Sequence, residues 1–312
     1  MLNYQNILVI IDPNQHQQAA LNRALELAQH QQQTKLTLLM AIYDFSYEMT
    51  AMLSSDDREA MRSAMVNERS QWLADLAEPH QNKGAEIELK VVWHSRPFES
   101  VLQQVLTNNH DLVIKSTHIH PKLRAILFTP TDWHLLRKCP APLLLVKQHD
   151  WPKQGNILVA VNSNGGDEAH NNLNNKLITQ GQALAALLDA KLHIANAYPS
   201  APINLALELP EFDVTDYSSA MAEHHHKSLS ALADKFNIPN ENSHLIEGQP
   251  EDVIAELANE LDAELVLLGT IGRTGFSAAI IGNTAEHIID QLNCDLLAIK
   301  PDGYISPFQA SS

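Results

Sequence analysis

Basic residues are scarce in this chain of 312 residues. It has 21 lysines and arginines against 37 aspartates and glutamates, which gives a formal net charge of −16 at pH 7. Nucleic acids and anionic membrane surfaces attract proteins through clustered lysine and arginine, and the sequence has no such cluster. We therefore expect neither a nucleic acid nor a membrane as a partner.

Cysteines are also few. Cys139 and Cys294 are the whole complement, and they do not align when the two halves of the chain are superposed. A disulfide framework is excluded, and buried, inert thiols in a reducing compartment are the expectation. No apolar run is long enough to span a bilayer, and the first residues, MLNYQNILVII, have no cationic flank and no small-residue cleavage site. These features predict a cytoplasmic protein.

The chain contains an internal repeat. Residues 111–147 align without a gap on residues 264–300, at a constant shift of 300 − 147 = 153. A repeat of this length indicates one fold built twice. We therefore predict two domains, 1–150 and 151–312, each large enough to bury its own core.

Each half alternates short apolar runs with helical patterns. The runs at 7–11 and 157–161 are continuous, which is typical of strands that are buried on both faces of a parallel sheet. Strands that alternate with helices predict an α/β fold, with a doubly wound, Rossmann-like parallel sheet in each half. Such sheets bind ligands at the carboxyl ends of their strands.

The connection between the halves, QHDWPKQG at 148–155, is short and polar. The last strands of the halves, 143–147 and 296–300, are candidate sheet edges. Pairing them within one chain would hide two open edges at once. We therefore expect the halves to pack as a pseudo-dimer, and a further homodimer stays open.

The two copies differ in their glycines. In repeat register the second copy has glycine where the first has larger residues: Gly269, Gly272 and Gly282 lie opposite Ser116, Ile119 and Thr129. Glycine lets a ligand approach the backbone. The first two glycines follow an apolar strand, and the third opens a helix that begins near Thr284, whose amides and positive dipole end suit a phosphate. One phosphate site is predicted, in the second half, with its first-half counterpart crowded.

The spacing G-x2-G-x9-G after a hydrophobic strand resembles the ATP-binding signature of the universal stress protein family. Glu247-Gly248-Gln249-Pro250 is similar to the family's G-x-P element, and the resemblance covers essentially the whole chain. It implies two family domains in one polypeptide, with ATP or a related adenine nucleotide in the second half. It also implies a regulatory role in tolerance of stress.

The resemblance implies a set of nucleotide-binding residues: Asn162, Ala197, Gly269, Gly272, Arg273, Gly282, Asn283 and Thr284. Asn162 stands where the family usually has an aspartate, and Ala197 would contact adenine through its backbone. Asn283 stands where the family has Ser or Thr, so either Thr284 supplies the hydroxyl or the Asn283 amide replaces it.

No catalytic residue is assigned. The chain has no Walker lysine, no arginine clamp beyond Arg273 and no carboxylate placed to orient a water, so the same pocket would support slow ATP hydrolysis at most. A slow ATPase is therefore one alternative function. A carrier of an apolar or amphiphilic ligand in the first half is another.

Two histidines, His118 and His120, occupy the first-half turn that corresponds to the phosphate turn. They could hold zinc with a third donor such as His94 or Asp12, because zinc takes nitrogen ligands in tetrahedral sets. A solvated loop is the alternative. Asp12 itself is interpreted either as a catalytic or metal carboxylate or as a strand-end carboxylate that receives backbone hydrogen bonds.

The remaining histidines of interest lie in predicted helices. The run 224–226 points in three directions and is expected on the surface. His134 and His287 coincide in the repeat, which favours a role in helix packing.

Overall fold

The structure, a computed structural model, describes residues 4–31, 33–46, 54–81, 84–119, 126–163, 168–200, 214–270 and 283–309. The chain divides into two compact units. The first comprises residues 3–149 together with the chain from residue 305, and the second comprises residues 150–304. Within the described ranges no helix has the length and apolar character needed to cross a membrane.

The first unit alternates strands and helices in this order: β1 (Asn6–Ile10), α1 (Ala19–Gln29), β2 (Thr34–Ile42), α2 (Ser55–Ala77), β3 (Ala85–Trp93), α3 (Pro97–Asn108), β4 (Leu112–Ser116), β5 (His118–Ile119), β6 (Ile126–Leu127), α4 (Pro130–Lys138) and β7 (Leu143–Val146). Its main sheet is parallel, with the order β3-β2-β1-β4-β7. The strand order reverses between β1 and β4, which is where such sheets bind ligands.

The second unit repeats this plan with β8 (Asn156–Ala160), α5 (Glu168–Leu188), β9 (Lys191–Tyr198), α6 (Val214–Lys235), β10 (Ser243–Glu247), α7 (Pro250–Glu260), β11 (Ala263–Gly269), α8 (Asn283–Gln291) and β12 (Asp295–Ile299). Its parallel sheet has the order β10-β9-β8-β11-β12. The predicted doubly wound α/β fold is confirmed in both units.

The central strands explain the continuous apolar runs. Ile7, Leu8 and Val9 of β1 are fully buried, and so are Leu158 and Val159 of β8. Helices cover both faces of such a strand, so every side chain along it must be apolar. A residue that breaks this rule in a central strand therefore needs an internal partner.

The first unit has one element that the repeat did not predict. β5 and β6 pair in antiparallel fashion directly after β4, with His118 opposite Leu127 and Ile119 opposite Ile126. The corresponding stretch of the second copy falls in residues 271–282, outside the described part of the chain. The first unit thus carries a small hairpin at the turn where the glycine motif occurs in the second.

A chain of hydrogen bonds crosses the second sheet near its amino end. His193 Nδ1 lies 3.0 Å from His244 Nε2, and His193 Nε2 lies 3.2 Å from Asn156 Oδ1. The Asn156 amide nitrogen donates to the Leu261 carbonyl at 2.6 Å, so Asn156 Oδ1 is the acceptor for His193. His193 therefore carries its proton on Nε2, and its Nδ1 accepts a hydrogen bond from His244 Nε2–H.

The chain after residue 304 belongs to the first unit. The Ser306 hydroxyl donates to the carbonyl oxygen of Lys138, the last residue of α4, at 2.7 Å. The hydroxyl also accepts the N–H of Phe308 at 3.2 Å. One of the carbonyls that a helix leaves unpaired at its end is thus satisfied from the far end of the chain.

Candidate functional site

Asn162 lies just beyond the carboxyl end of β8, with an exposed side chain. Its backbone is held on both sides by one buried amide from α5. The Asn162 N–H donates to Asn174 Oδ1 at 3.1 Å, and Asn174 Nδ2 donates to the Asn162 carbonyl at 2.8 Å. The position of Asn162 is therefore fixed while its own side chain stays available at the mouth of the sheet.

Ala197 is the penultimate residue of β9 and is half-buried. The residue before it, Asn196, is almost fully buried and was missed from the sequence. Asn196 Oδ1 accepts the Ser163 N–H at 3.1 Å, so its amide nitrogen faces His225 Nδ1, also at 3.1 Å. This network joins the ends of β8 and β9 to helix α6.

The prediction that residues 224–226 lie on the surface was wrong for His225. His224 and His226 are exposed, but His225 is buried and stacks on Tyr198, with ring centroids 5.2 Å apart. Successive helical residues are rotated by about 100°, so the three histidines point in different directions, and His225 is the one that contacts β9. Burial, and to a lesser extent nearby His224, lowers the pKa of His225. The imidazole is thus neutral, with its proton on Nε2 because Nδ1 accepts from Asn196.

Ser163 contributes a second polar group at this end of the sheet. Its Oγ is buried and makes no hydrogen bond to any residue that the structure describes. A buried hydroxyl without a partner is unfavourable, so the site suits a ligand or water that can bond to it. Ser163 directly follows Asn162, one of the predicted site residues.

Gly269 is the last residue of β11, and its lack of a side chain has a packing reason. A Cβ at this position would clash with the side chain of Leu173 and would lie 3.5 Å from Leu177 Cδ1, both on α5. In the first unit the matching residue is Ser116, whose hydroxyl accepts the Ala20 N–H at 2.9 Å. Gly269 therefore has a packing role in addition to any role in ligand binding.

The rest of the glycine motif is described only in part. Gly272, Arg273 and Gly282 lie outside the described residues. Helix α8 begins at Asn283, with Thr284 in its first turn, which confirms the predicted helix start. The motif is thus anchored by β11 before it and by α8 after it.

In the first unit, the start of α4 corresponds to the start of α8, but it is occupied by a buried ion pair of the protein itself. Lys115 Nζ lies 2.8 Å from Asp132 Oδ1, and Asp132 is fully buried. Asp132 Oδ2 also accepts the Thr129 N–H at 2.7 Å, and the Asp132 N–H donates to the Thr129 hydroxyl at 3.3 Å. This capping box places a carboxylate of the protein itself at the start of α4. In repeat register the second copy has Leu268 and Ala285 instead of this ion pair.

Asp12 behaves as a strand-end carboxylate. Its Oδ1 accepts the Asn14 N–H at 2.9 Å, and its carbonyl accepts the Gln18 side-chain amide at 2.7 Å. These bonds favour the structural interpretation of Asp12.

The zinc prediction stays untested. His120 and the side chain of His118 lie outside the described part of the chain. Within that part, no group of three or more His, Cys, Asp or Glu side chains is arranged to hold a metal ion. His94, the candidate third donor, accepts the Arg96 N–H on Nδ1 at 3.1 Å and has Nε2 3.7 Å from Glu99. Nδ1 of His94 thus already has a partner, while Nε2 faces a carboxylate without a hydrogen bond to it.

The paired helical histidines differ between the units. His134 stacks on Phe98, with ring centroids 4.0 Å apart, and so joins α4 to α3 as predicted. His287 is exposed, so the packing prediction was wrong for the second copy. Cys139 and Cys294 are both buried and form no disulfide, as expected.

Comparison with known proteins identifies the fold's relatives. The family model described as "Universal stress protein family" matches residues 3–147 and 155–300. Universal stress protein E of Escherichia coli K12 is 50% identical over 311 residues, which is 99% of this chain and 98% of the relative. The Universal stress protein E homolog of Haemophilus influenzae is 43% identical over 304 residues, covering 96% of this chain and 98% of the relative.

Solved structures also resemble this chain over nearly its full length. A functionally unknown protein from Pseudomonas aeruginosa PAO1 is 28% identical and superposes with a TM-score of 0.75, over 96% of this chain and 93% of that one. A universal stress protein from Archaeoglobus fulgidus, at 15% identity, shares the fold with a TM-score of 0.60, over 95% of this chain and 96% of that one. With both halves matched by one family model and relatives similar along nearly their full length, the chain belongs to the universal stress protein family and carries two of its domains in tandem.

Proposed function

We propose that this protein is a cytoplasmic regulatory protein of stress tolerance that binds ATP, or a related adenine nucleotide, in its second unit. The site lies at the carboxyl ends of β8, β9 and β11. Asn162 and the backbone of Ala197 would contact the base and ribose, and the turn from Gly269 to Thr284 would receive the phosphates.

The observation that carries the proposal is the difference between the two matching helix starts. The N-terminus of a helix attracts an anion through its unpaired N–H groups and its dipole. In the first unit Asp132 supplies that anion from within the protein. In the second, Ala285 replaces Asp132 and glycine replaces Thr129, so the same helix start suits an external phosphate.

Isothermal titration calorimetry of the whole protein tests the proposal. We expect about one ATP per chain. Gly272→Val and Gly282→Asp should each abolish binding, because they put a side chain or a negative charge where the phosphate meets backbone amides. Ile119→Val places the same side chain at the matching position of the first copy and should leave ATP binding unchanged. Two equivalent sites, or full affinity in Gly282→Asp, would contradict the assignment.

A further inference from the structure

The first unit contains a cavity of about 650 Å³ at the carboxyl ends of β1 to β4. This volume lies within the range of about 300 to 1,000 Å³ that is usual for small-molecule sites. Apolar and aromatic residues form ten of its 18 described lining positions, and among them are Ile10, Ile11, Ala41, Ile42, Tyr43 and Trp93. The rings of Tyr43 and Trp93 contact each other, with centroids 5.8 Å apart and planes inclined by 57°. The wall therefore suits a flat, largely apolar ligand.

The charges around the cavity do not suit a polyanion. Lys115 lines it, but its ammonium group is already paired with buried Asp132 at 2.8 Å. The other charged lining residues among those described are Asp12, Asp44 and Arg69. With Lys115 and Asp132 counted as neutral, two carboxylates and one guanidinium line the cavity, and the Arg62 guanidinium lies over the Trp93 ring, 5.9 Å from its centroid. The described surroundings thus carry no excess of positive charge that would attract a polyanion.

The carboxylates can instead accept hydrogen bonds. Asp44 Oδ1 is held by the Ser46 N–H at 2.9 Å and by the Ser46 hydroxyl at 2.6 Å. These bonds lower the pKa of Asp44, so it is ionised at neutral pH. An ionised carboxylate is an acceptor only, and a ligand facing it must offer N–H or O–H groups.

The helix start that would bind phosphate is also occupied. Thr129 and Asp132 close the capping box of α4, and Thr129 lines the cavity. An incoming phosphate would have to displace this internal carboxylate, and the fully buried Asp132 would then lose its hydrogen bonds and its ion-pair partner, which is costly. The geometry excludes the phosphate while keeping the space for a ring.

From this combination we infer a second ligand site in the first unit, which takes a phosphate-free heteroaromatic molecule of nucleoside size. Its ring lies against the Tyr43 and Trp93 wall, and its N–H or O–H groups face Asp12 and Asp44. The inference is independent of nucleotide binding in the second unit.

Adenosine and ATP form a matched pair of probes, because they share one ring system and differ only in the phosphates. The chain offers a matched pair of variants as well. Ile11 N–H donates to the Leu39 carbonyl, and Val161 N–H donates to that of Ala195, each at 2.9 Å, which makes Ala41 and Ala197 equivalent positions of the two sheets. Ala41→Leu fills the first cavity, and Ala197→Leu obstructs the proposed nucleotide site.

Calorimetry of the whole protein would measure adenosine binding with and without saturating ATP. We expect an adenosine site that ATP does not displace, weakened at least tenfold by Ala41→Leu and kept by Ala197→Leu. ATP binding should be unchanged in Ala41→Leu. If only the nucleotide proposal fails, ATP binds to no variant while the effect of Ala41→Leu on adenosine persists.

Asp44→Ala serves as a second variant that fills no space. It alters an exposed residue at the rim and should also weaken the ATP-resistant adenosine site several-fold, because the ligand loses an ionised acceptor. The inference is overturned if ATP displaces all bound adenosine from the wild type, or if neither Ala41→Leu nor Asp44→Ala weakens adenosine binding.

Discussion

Lys115 and Asp132 form an ion pair inside the first unit, with Nζ 2.8 Å from Oδ1 and Asp132 fully buried. Lys115 also donates to the Ser116 carbonyl at 3.0 Å, and Asp132 caps helix α4. Each charge depends on the other, since a buried ion without a partner is strongly unfavourable. The pair therefore ties the end of β4 to the start of α4.

Removing one member of this pair should be far worse than removing both. Asp132→Ala leaves the buried Lys115 ammonium without its ion-pair partner. It should therefore lower the free energy of unfolding of the first unit by about 3 to 5 kcal/mol. The double variant Lys115→Leu/Asp132→Ala copies Leu268 and Ala285 of the second copy and should recover most of that loss. Urea unfolding, followed by tryptophan fluorescence, to which Trp72, Trp93 and Trp133 of the first unit contribute, measures both. A double variant no more stable than the single one would contradict this account.

The second unit should lose stability on mild acidification through His193. Burial first, then His244 and Lys191, lowers the pKa of His193 from 6.5 to about 4. Between these values the unfolded chain binds a proton more readily than the folded one, so stability falls as the pH falls from 6.5 towards 4. The full effect is on the order of 3 kcal/mol. His244, whose own pKa burial lowers and Glu260 raises, contributes in the same sense.

The check is the slope of the unfolding free energy against pH. His193→Gln has no group that titrates in this range, so its free energy of unfolding should depend less on pH between 6.5 and 4.5 than that of the wild type. Equal slopes in the two proteins would show that His193 is not the titrating group.

Gly181 should not accept alanine, although it lies inside a helix. A Cβ there would lie 2.7 Å from Val159 Cγ2 and 2.9 Å from Leu192 Cδ1. Alanine gains about 1 kcal/mol of helix propensity, but overpacking a buried interface costs about 1 to 3 kcal/mol. Because Val159 is branched and fully buried, we expect a net loss of about 1 kcal/mol in chemical denaturation. A stabilised Gly181→Ala protein would mean that α5 can shift away from the sheet.

Asn196 should matter both for stability and for the proposed nucleotide site. Asn196→Ala leaves the Ser163 N–H and His225 Nδ1 without their partners and should cost about 1 to 3 kcal/mol. The substitution also removes the hydrogen bond that holds the Ser163 backbone, next to Asn162. Asn162 would then be positioned less firmly, so ATP affinity should fall. Thermal unfolding and calorimetry on the same protein separate the two effects. An unchanged affinity in a folded Asn196→Ala protein would place Asn196 outside the ligand site.

Sequence patterns predicted the elements of the fold well, because strands buried on both faces must be apolar throughout, and two copies supported each assignment. Pairings between distant polar residues were not predictable. Lys115 and Asp132 are 17 positions apart (132 − 115), and an isolated charge is most often solvated. Nothing local marks them as partners, although a lysine within the apolar run 112–116 signals that it needs one.

The burial of His225 and Asn196 was missed for a related reason. A run of three histidines is polar, and only the rotation of the helix against the sheet decides which member turns inward. Gly269 shows the opposite case. Its place in a binding motif suggested a ligand, while its contact with Leu173 gives a packing reason that the motif alone could not reveal.

The bond from the Ser306 hydroxyl to the Lys138 carbonyl bears on how the protein is made. A ribosome completes residues 3–149 long before it reaches residue 306, and domains generally fold as they emerge. The first unit must therefore form its sheet with the end of α4 incomplete, while the entire second unit is translated. Only then does its last segment arrive, so the domain that begins folding first is the last to be finished.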